Sequence, residues 1–95
     1  MKNEKDLNPN KKWCQLNKKE QIIVSTMLRD LYIRFVVENN RKPNRDEKQF
    51  IVATVYLKTE EEDIFIPANQ INKYFQSKIP NYDKSIEKLG FQFIL

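Results

Sequence analysis

The stretch "KIPNYDKSIEKLGF", residues 78–91, decides which fold this chain adopts, because a proline stands between two segments of helical pattern. Proline lacks a backbone N–H and disfavours helical geometry in the residue before it, so Pro80 is predicted to end one helix. Asn81 is then placed to cap a second helix over 81–89, and Gly90, the single glycine of the chain, ends it. The stretch therefore predicts two short helices joined by a tight turn.

The segments on either side of this helix pair predict a small amount of β structure. "DIFIP" is typical of a short strand over 63–66, and Pro67 suits the first position of a helix over 67–78. After the glycine, "FQFIL" alternates its large apolar residues, which predicts a terminal strand over 91–95.

Further toward the N-terminus, the pattern predicts one long amphipathic helix over 18–39. Asn17 followed by Glu20 has the spacing of a capping box, and Asn40 and Pro43 provide the stop signals. The apolar positions recur at helical spacing, so one face is expected to be buried. The residues predicted to form that buried stripe are Val24, Leu28, Leu31 and Phe35.

The segment from residue 45 to 58 is ambiguous between helix and strand. Asn44 and Glu47 repeat the capping-box spacing, which favours a helix. The run "FIVATVY" is rich in β-branched residues, which favours a strand. A strand would need a hairpin turn at "KTEEED", which contains no Gly, Asn or Pro. We predict a helix over 45–58 and keep the strand as the alternative.

The chain is predicted to hold a single domain over 17–95, preceded by a flexible polar tail over 1–16. Most of the tail is polar and shows no periodicity. Trp13 and Leu16 are the exceptions. They either dock on the domain and anchor the tail, or form an exposed segment that binds a partner.

The composition is that of a globular protein with 40% hydrophobic and 32% charged residues. No apolar run is long enough to cross a membrane, and "MKNEKDLNPNKKW" has no hydrophobic stretch of the kind found in secretory signals. The one cysteine, Cys14, cannot form an internal disulfide, so the fold needs no oxidising compartment. We expect a cytoplasmic protein.

The net charge of +4 is unevenly distributed along the chain. Residues 1–19 carry the whole excess, while the positive and negative charges of residues 20–95 cancel. Within that second part, residues 60–63 form an acidic block. The molecule is therefore expected to be polarised, with an acidic tip and a mildly basic opposite side. The many Lys, Asn and Ile residues also suggest an AT-rich genome, such as that of a low-GC bacterium or a mobile element.

The predicted order of elements resembles that of the winged helix-turn-helix superfamily. The resemblance covers residues 45–95 and is carried by the order of elements and by "IPANQINKYFQSKIPNYDKSIEKLGF". It implies a mainly α fold with a small β component, a winged-helix-like domain with an additional long N-terminal helix, and DNA binding in transcription regulation. The chain departs from the family pattern at the turn "KIPN", which lacks a small residue, and in having no second wing strand before Leu95.

In this arrangement the last helix would be the reading helix. Tyr82, Ile86 and Leu89 would pack inward, and the opposite face would enter a groove of nucleic acid. Asn can pair with adenine, Ser can bond to several base edges, and Lys can contact phosphate or guanine. The predicted nucleic-acid-binding residues are Asn81, Lys84, Ser85 and Lys88, with Lys73 and Lys78 from the preceding helix. The alternative is that this face is only a solvated surface.

No enzymatic function is expected. The chain has no His, which removes the commonest general base and leaves Cys14 without the ligands of a zinc site. One glycine cannot form a glycine-rich phosphate loop. The acidic block 60–63 lacks the ligand spacing of a calcium loop, so a charged turn is favoured over a metal site. We expect no cofactor and no metal.

These observations predict a small, non-enzymatic regulatory protein that binds nucleic acid, with DNA favoured. The alternative is a protein-interaction module or inhibitor. It would act through the aromatic N-terminal segment around Trp13 or through the acidic tip at 60–63.

Overall fold

The structure is a computed structural model that describes residues 11–90. A 3-10 turn at Trp13–Gln15 is followed by three helices, α1 at Lys18–Asn39, α2 at Arg45–Glu61 and α3 at Ala68–Lys88. Each helix packs against the other two, and the 3-10 turn packs on α3. No β-strand occurs in this part of the chain.

Helix α1 begins and ends as its sequence predicts. The Asn17 side chain accepts a hydrogen bond from the backbone N–H of Glu20, and the Glu20 carboxylate accepts one from the N–H of Asn17. Asn40 adopts left-handed geometry with φ of 56° and closes the helix. Asn tolerates this conformation better than most residues, so the stop after Asn39 has a local cause.

The buried face of α1 is only partly the predicted one. Val24 and Leu28 are buried as expected, but Leu31 and Phe35 are only half-buried. The row of buried residues advances by four at every step and consists of Val24, Leu28, Tyr32 and Val36. Residues four apart lie nearly in line along a helix, so this narrow row fits between α2 and α3. Leu31 and Phe35 lie to one side of the row.

Helix α2 confirms the predicted helix in the ambiguous segment, and it extends beyond residue 58 to Glu61. Its capping box is formed, with the Asn44 side chain accepting from the N–H of Glu47 at 2.9 Å. Three of the β-branched residues that favoured a strand, Ile51, Val52 and Val55, are buried by the helix. Burial between two helices offsets their weak helical propensity, so packing decides the conformation.

The predicted strand over 63–66 is wrong. After α2 the chain turns through Glu62 and Asp63, and residues 64–67 are irregular. Ile64 and Ile66 are nevertheless buried, with 3% and 4% of their surface exposed. No strand lies beside this segment in the described part of the chain, so its alternating apolar residues fill the core without joining a sheet.

The predicted break at Pro80 is also wrong, because Pro80 lies inside the continuous helix α3. A single helix puts Ile71 and Phe75, before the proline, on the same buried face as Tyr82 and Ile86 after it. Proline removes one backbone hydrogen bond, which costs about 3 kcal/mol in a helix interior. Pro80 faces solvent, where water can reach the unpaired carbonyl. Burying four large side chains in one row offsets the cost.

The fold is therefore an all-helical three-helix domain, and the winged-helix-like fold with a small β component is contradicted. The two helices predicted at 67–78 and 81–89 are one, so Asn81 caps nothing. Gly90 does follow the helix end in left-handed geometry, with φ of 92°. The strand predicted over 91–95 lies outside the described residues.

A polar contact ties α3 to α1 next to the core. The buried Tyr32 hydroxyl donates a hydrogen bond of 2.6 Å to the Asp83 carboxylate, whose other oxygen lies 3.3 Å from the Lys42 ammonium. Burial raises the pKa of the Tyr32 phenol, and the bond to Asp83 raises it further. The contact fixes the rotation of α3 about its axis and so determines which residues face α1.

Candidate functional site

A groove of about 270 Å³ lies between α1 and α3, and we call it the α1/α3 groove. Helix α1 contributes Ser25, Thr26 and Arg29 to its lining. Helix α3 contributes Tyr74, Lys78, Asn81, Tyr82 and Ser85. Two of these side chains are cationic, the others carry hydroxyl or amide groups, and none is acidic.

Helical periodicity explains why these residues meet. On α1, Ser25 and Arg29 are four residues apart and each directly follows a buried residue, Val24 or Leu28. On α3, Asn81 and Ser85 are likewise four apart. Each row lies one position to the side of its helix's buried row. The groove is thus lined by side chains that lie next to the buried row of each helix.

The two cations of the groove are not neutralised within the domain. Neither Arg29 nor Lys78 forms an ion pair with another residue in the range 11–90; the Lys78 ammonium lies over the Tyr74 ring, 5.6 Å from its centroid. By contrast, Arg41 is held by Glu47 in a two-pronged ion pair with both distances at 2.8 Å. The positive charge of the groove therefore remains available to an anion.

The Tyr82 hydroxyl is buried in the wall of this groove without a hydrogen-bond partner in the described structure. Only 6% of the Tyr82 surface is exposed. Burial raises the pKa of this phenol to about 12; Tyr74 raises it further, and the charge of Arg29 opposes the shift. The hydroxyl therefore stays protonated at neutral pH. A buried donor without an acceptor is unfavourable by about 1–3 kcal/mol and calls for a water or a ligand.

The N-terminal segment docks beside this groove. Trp13 stacks on Tyr74 with the ring centroids 3.9 Å apart and the planes inclined by 12°. Leu16 is buried with 4% of its surface exposed. The backbone N–H of Trp13 also donates a hydrogen bond to the Gln70 side-chain oxygen at 3.2 Å. The docking interpretation of Trp13 and Leu16 is thus confirmed, and Lys11 and Lys12 directly precede the docked tryptophan.

The structure brings together only some of the predicted nucleic-acid-binding residues. Lys78, Asn81 and Ser85 line the α1/α3 groove. Lys88 follows Ser85 by three residues, so it extends the same side of α3 by about one turn. Lys84 follows Lys73 by eleven residues, or about three turns, so it shares the side of Lys73 and does not line the groove.

Two assignments on α3 are corrected. Lys73 is exposed but does not line the groove. Leu89, which was expected to pack inward, is 70% exposed because α3 ends at Lys88. Lys73 precedes Lys78 by five residues, which places it about 140° away around the helix.

Sequence reasoning missed the α1 side of the groove and the polar role of Tyr82. The sequence does not give the register between two helices, so Ser25, Thr26 and Arg29 could not be assigned to a site. Tyr82 was assigned to the core as an apolar residue. One sequence signal for the α1 side was available: Ser25 and Arg29 are four residues apart, as are Asn81 and Ser85 on α3.

Removing the Tyr82 hydroxyl should have the opposite effect on stability from removing the Tyr32 hydroxyl. Tyr82→Phe deletes an unpartnered donor, so the free energy of unfolding should stay constant or rise by up to about 1 kcal/mol. Tyr32→Phe leaves Asp83 without its donor and should lower it by roughly 1–3 kcal/mol. Urea unfolding of both variants at neutral pH measures the difference. An equal loss in both would mean that the Tyr82 hydroxyl has an acceptor inside the protein.

Residues 11–90 also bear on metal binding and on membrane insertion. No cluster of three or more Cys, Asp or Glu side chains in this range has an arrangement that could hold a metal ion. None of the helices in this range combines the length and apolar character needed to cross a membrane.

The chain matches no protein-family model, no curated protein and no solved structure.

Proposed function

We propose that this protein binds the phosphate backbone of nucleic acid in the α1/α3 groove, as a small non-enzymatic regulatory protein. The observation that carries the proposal is the Tyr82 hydroxyl, a buried donor without a partner in the wall of a groove that also holds Arg29 and Lys78. Phosphate oxygens accept hydrogen bonds from hydroxyl groups and pair with Arg and Lys. A phosphate in the groove would pair with the two cations, and a shift of the lining side chains would open the Tyr82 hydroxyl to it.

The surroundings of the groove suit a polymer better than a single small anion. Lys88 continues the cationic side of α3 beyond the groove. At the Trp13 side, Lys11 and Lys12 directly precede the docked tryptophan. Cations spaced along a line of this kind match the regular spacing of phosphates along a strand.

The chemistry of the groove favours backbone contact over base readout. Arg29 is its single guanidinium, the group best suited to guanine, and Asn81 is its single amide, the group best suited to adenine. Most of the remaining donors are hydroxyl groups, which bond to phosphate as readily as to bases. We therefore expect weak dependence on sequence and strong dependence on salt. Dissociation constants should be on the order of 10⁻⁴–10⁻⁶ M at physiological salt.

The test is a double variant with a matched control on the same two helices. Arg29→Ala combined with Lys78→Ala removes the two groove cations, while Arg34→Ala combined with Lys73→Ala removes one Arg and one Lys from exposed positions outside the groove. Binding to fluorescent single-stranded and duplex DNA is measured across a salt series.

The groove variant should bind all sequences more weakly, and its salt slope should fall by about one for each lost phosphate contact. The control variant should keep the wild-type slope. Equal losses in both variants would show that binding follows net charge and not the groove. Absence of binding by the wild-type protein at low salt would refute the proposal.

A protein-interaction module is the second candidate. The acidic tip at 60–63 is exposed, as is a pair of large apolar side chains on α2, Phe50 and Leu57. The aromatic N-terminal segment is a weaker candidate for a partner contact, because the Trp13 ring is already stacked on Tyr74.

For the location of the protein, we propose the cytoplasm. Cys14, the single cysteine, is exposed and is not needed for the fold. A domain without a disulfide is compatible with a reducing compartment.

A further inference from the structure

Helix α2 carries an apolar stripe on the side that faces away from the core. Phe50, Ala53 and Leu57 follow one another at intervals of three and four residues, so they lie on one face of the helix. Phe50 is 73% exposed and Leu57 is 60% exposed. The core-facing residues of α2, which include Ile51 and Val55, point in the opposite direction. The stripe therefore contributes nothing to the packing of the domain.

A shallow apolar groove adjoins the stripe. It has a volume of about 280 Å³ and lies between α2 and the first turns of α3. Val52, Ala53 and Ala68 provide its apolar lining, and Ala53 belongs to both the stripe and the groove. The exposed apolar surface thus continues sideways from the helix face. Contiguous apolar surface of this kind is typical of protein-interaction sites.

The charges around the stripe determine which partner it fits. Asp46 lies one turn before Phe50 on the same face, and Glu60 and Glu61 lie one turn after Leu57. Residues 45–63, which comprise α2 and the turn after it, carry six acidic and three basic side chains. The charges of residues 45–48 cancel, whereas residues 57–63 carry four acidic side chains against Lys58, which lies 3.8 Å from the Glu61 carboxylate. The C-terminal end of the stripe is therefore acidic, although the chain as a whole is basic.

We propose that this surface, Phe50, Ala53 and Leu57 between Asp46 and Glu60–Glu61, binds a basic amphipathic helix of another protein. Such a helix places apolar residues at the same intervals along the stripe and Lys or Arg side chains near the end that meets Glu60 and Glu61. The acidic end of the stripe repels nucleic acid.

The probe is a synthetic peptide of about 15 residues made of Leu and Lys, with Leu at helical spacing so that one face is apolar. Two peptides serve as controls. The first has the same composition in an order without an apolar face, and the second replaces every Lys with Glu. Binding to the full chain is measured by fluorescence anisotropy, and self-association by sedimentation equilibrium over a range of protein concentrations.

Phe50→Ser combined with Leu57→Ser should weaken binding of the amphipathic Leu/Lys peptide by at least roughly tenfold. The matched control is Ile22→Ser combined with Leu89→Ser, two apolar residues with 53% and 70% exposure outside α2, and it should bind as the wild type does. Glu60→Lys combined with Glu61→Lys should also weaken binding. The two control peptides should bind poorly.

Three results would overturn the proposal. One is equal binding of the amphipathic peptide and the peptide without an apolar face. A second is a Phe50→Ser, Leu57→Ser variant that binds the amphipathic peptide as tightly as the wild type. The third is a wild-type dimer that the same double substitution dissociates, since the stripe would then be covered by a second copy. These substitutions leave the α1/α3 groove intact, so their outcome is independent of nucleic-acid binding.

Discussion

The Leu28→Asp variant is expected to be unfolded at room temperature. Leu28 has 0% of its surface exposed and lies in the middle of the buried row of α1. Aspartate at this position would place a charge without a partner in the core and remove a large apolar side chain. A domain of this size is stable by only about 5–14 kcal/mol, and a buried unpaired charge costs several kcal/mol. Circular dichroism and the dispersion of amide NMR signals measure the loss of structure.

The matched control is Ile22→Asp on the same helix. Ile22 is 53% exposed, so the substitution should change the free energy of unfolding by less than about 0.5 kcal/mol. A Leu28→Asp protein that melts like the wild type would show that α1 does not bury this face. A large loss in Ile22→Asp would show that the face has been assigned in the wrong direction.

The Pro80→Ala variant is expected to be more stable than the wild type. In a helix interior, Ala is favoured over Pro by about 3 kcal/mol, and the stiffness that proline gives to the unfolded chain offsets roughly 1 kcal/mol of this gain. Pro80 is exposed, so the substitution disturbs no core contact. The net gain of about 2 kcal/mol should raise the melting temperature by roughly 8–16 °C, which calorimetry or thermal circular dichroism measures.

Pro67→Ala provides the comparison. Pro67 is the N-cap of α3 with φ of −64°, a conformation that proline adopts without strain. Its replacement should lower the free energy of unfolding by about 0.4–1 kcal/mol, because the unfolded chain gains freedom. If Pro80→Ala instead behaves like Pro67→Ala, then Pro80 lies in a turn and two helices replace α3.

The starts of α1 and α2 could be predicted from the sequence because their signals are local. The pairs Asn17 with Glu20 and Asn44 with Glu47 form the expected capping boxes. A capping box depends on residues three apart, so its effect does not require knowledge of the rest of the fold. The same holds for the stop at Asn40, whose side chain suits a left-handed conformation.

The course of the chain through Pro80 could not be predicted, because there the local and the tertiary preferences oppose each other. The local preference is for a break, by about 3 kcal/mol. The tertiary preference is for one helix that buries Phe75 and Tyr82 on a single face and lets Asp83 reach the Tyr32 hydroxyl. The strength of these contacts depends on where α1 lies, which the sequence does not reveal. The mistaken break then led to the winged-helix interpretation.

Only the α3 side of the α1/α3 groove could be predicted from the sequence. The polar row of α3, with Lys78, Asn81 and Ser85, follows from helical periodicity whether or not the helix is continuous. Its counterpart on α1 depends on the register of two packed helices, and so Arg29 was not identified. The partnerless hydroxyl of Tyr82 became visible only once its neighbours were known.

The most direct test of nucleic-acid binding in the α1/α3 groove is NMR mapping of the backbone amides during titration with a short single-stranded oligothymidylate. Binding in the groove predicts that the largest shifts lie around Ser25 and Arg29 on α1 and around Lys78 and Ser85 on α3. Tyr82→Phe should reduce those shifts while leaving the rest of the spectrum unchanged. Shifts confined to α2 or to the side of α3 that carries Lys73, or no shifts at low salt, would contradict the proposed site.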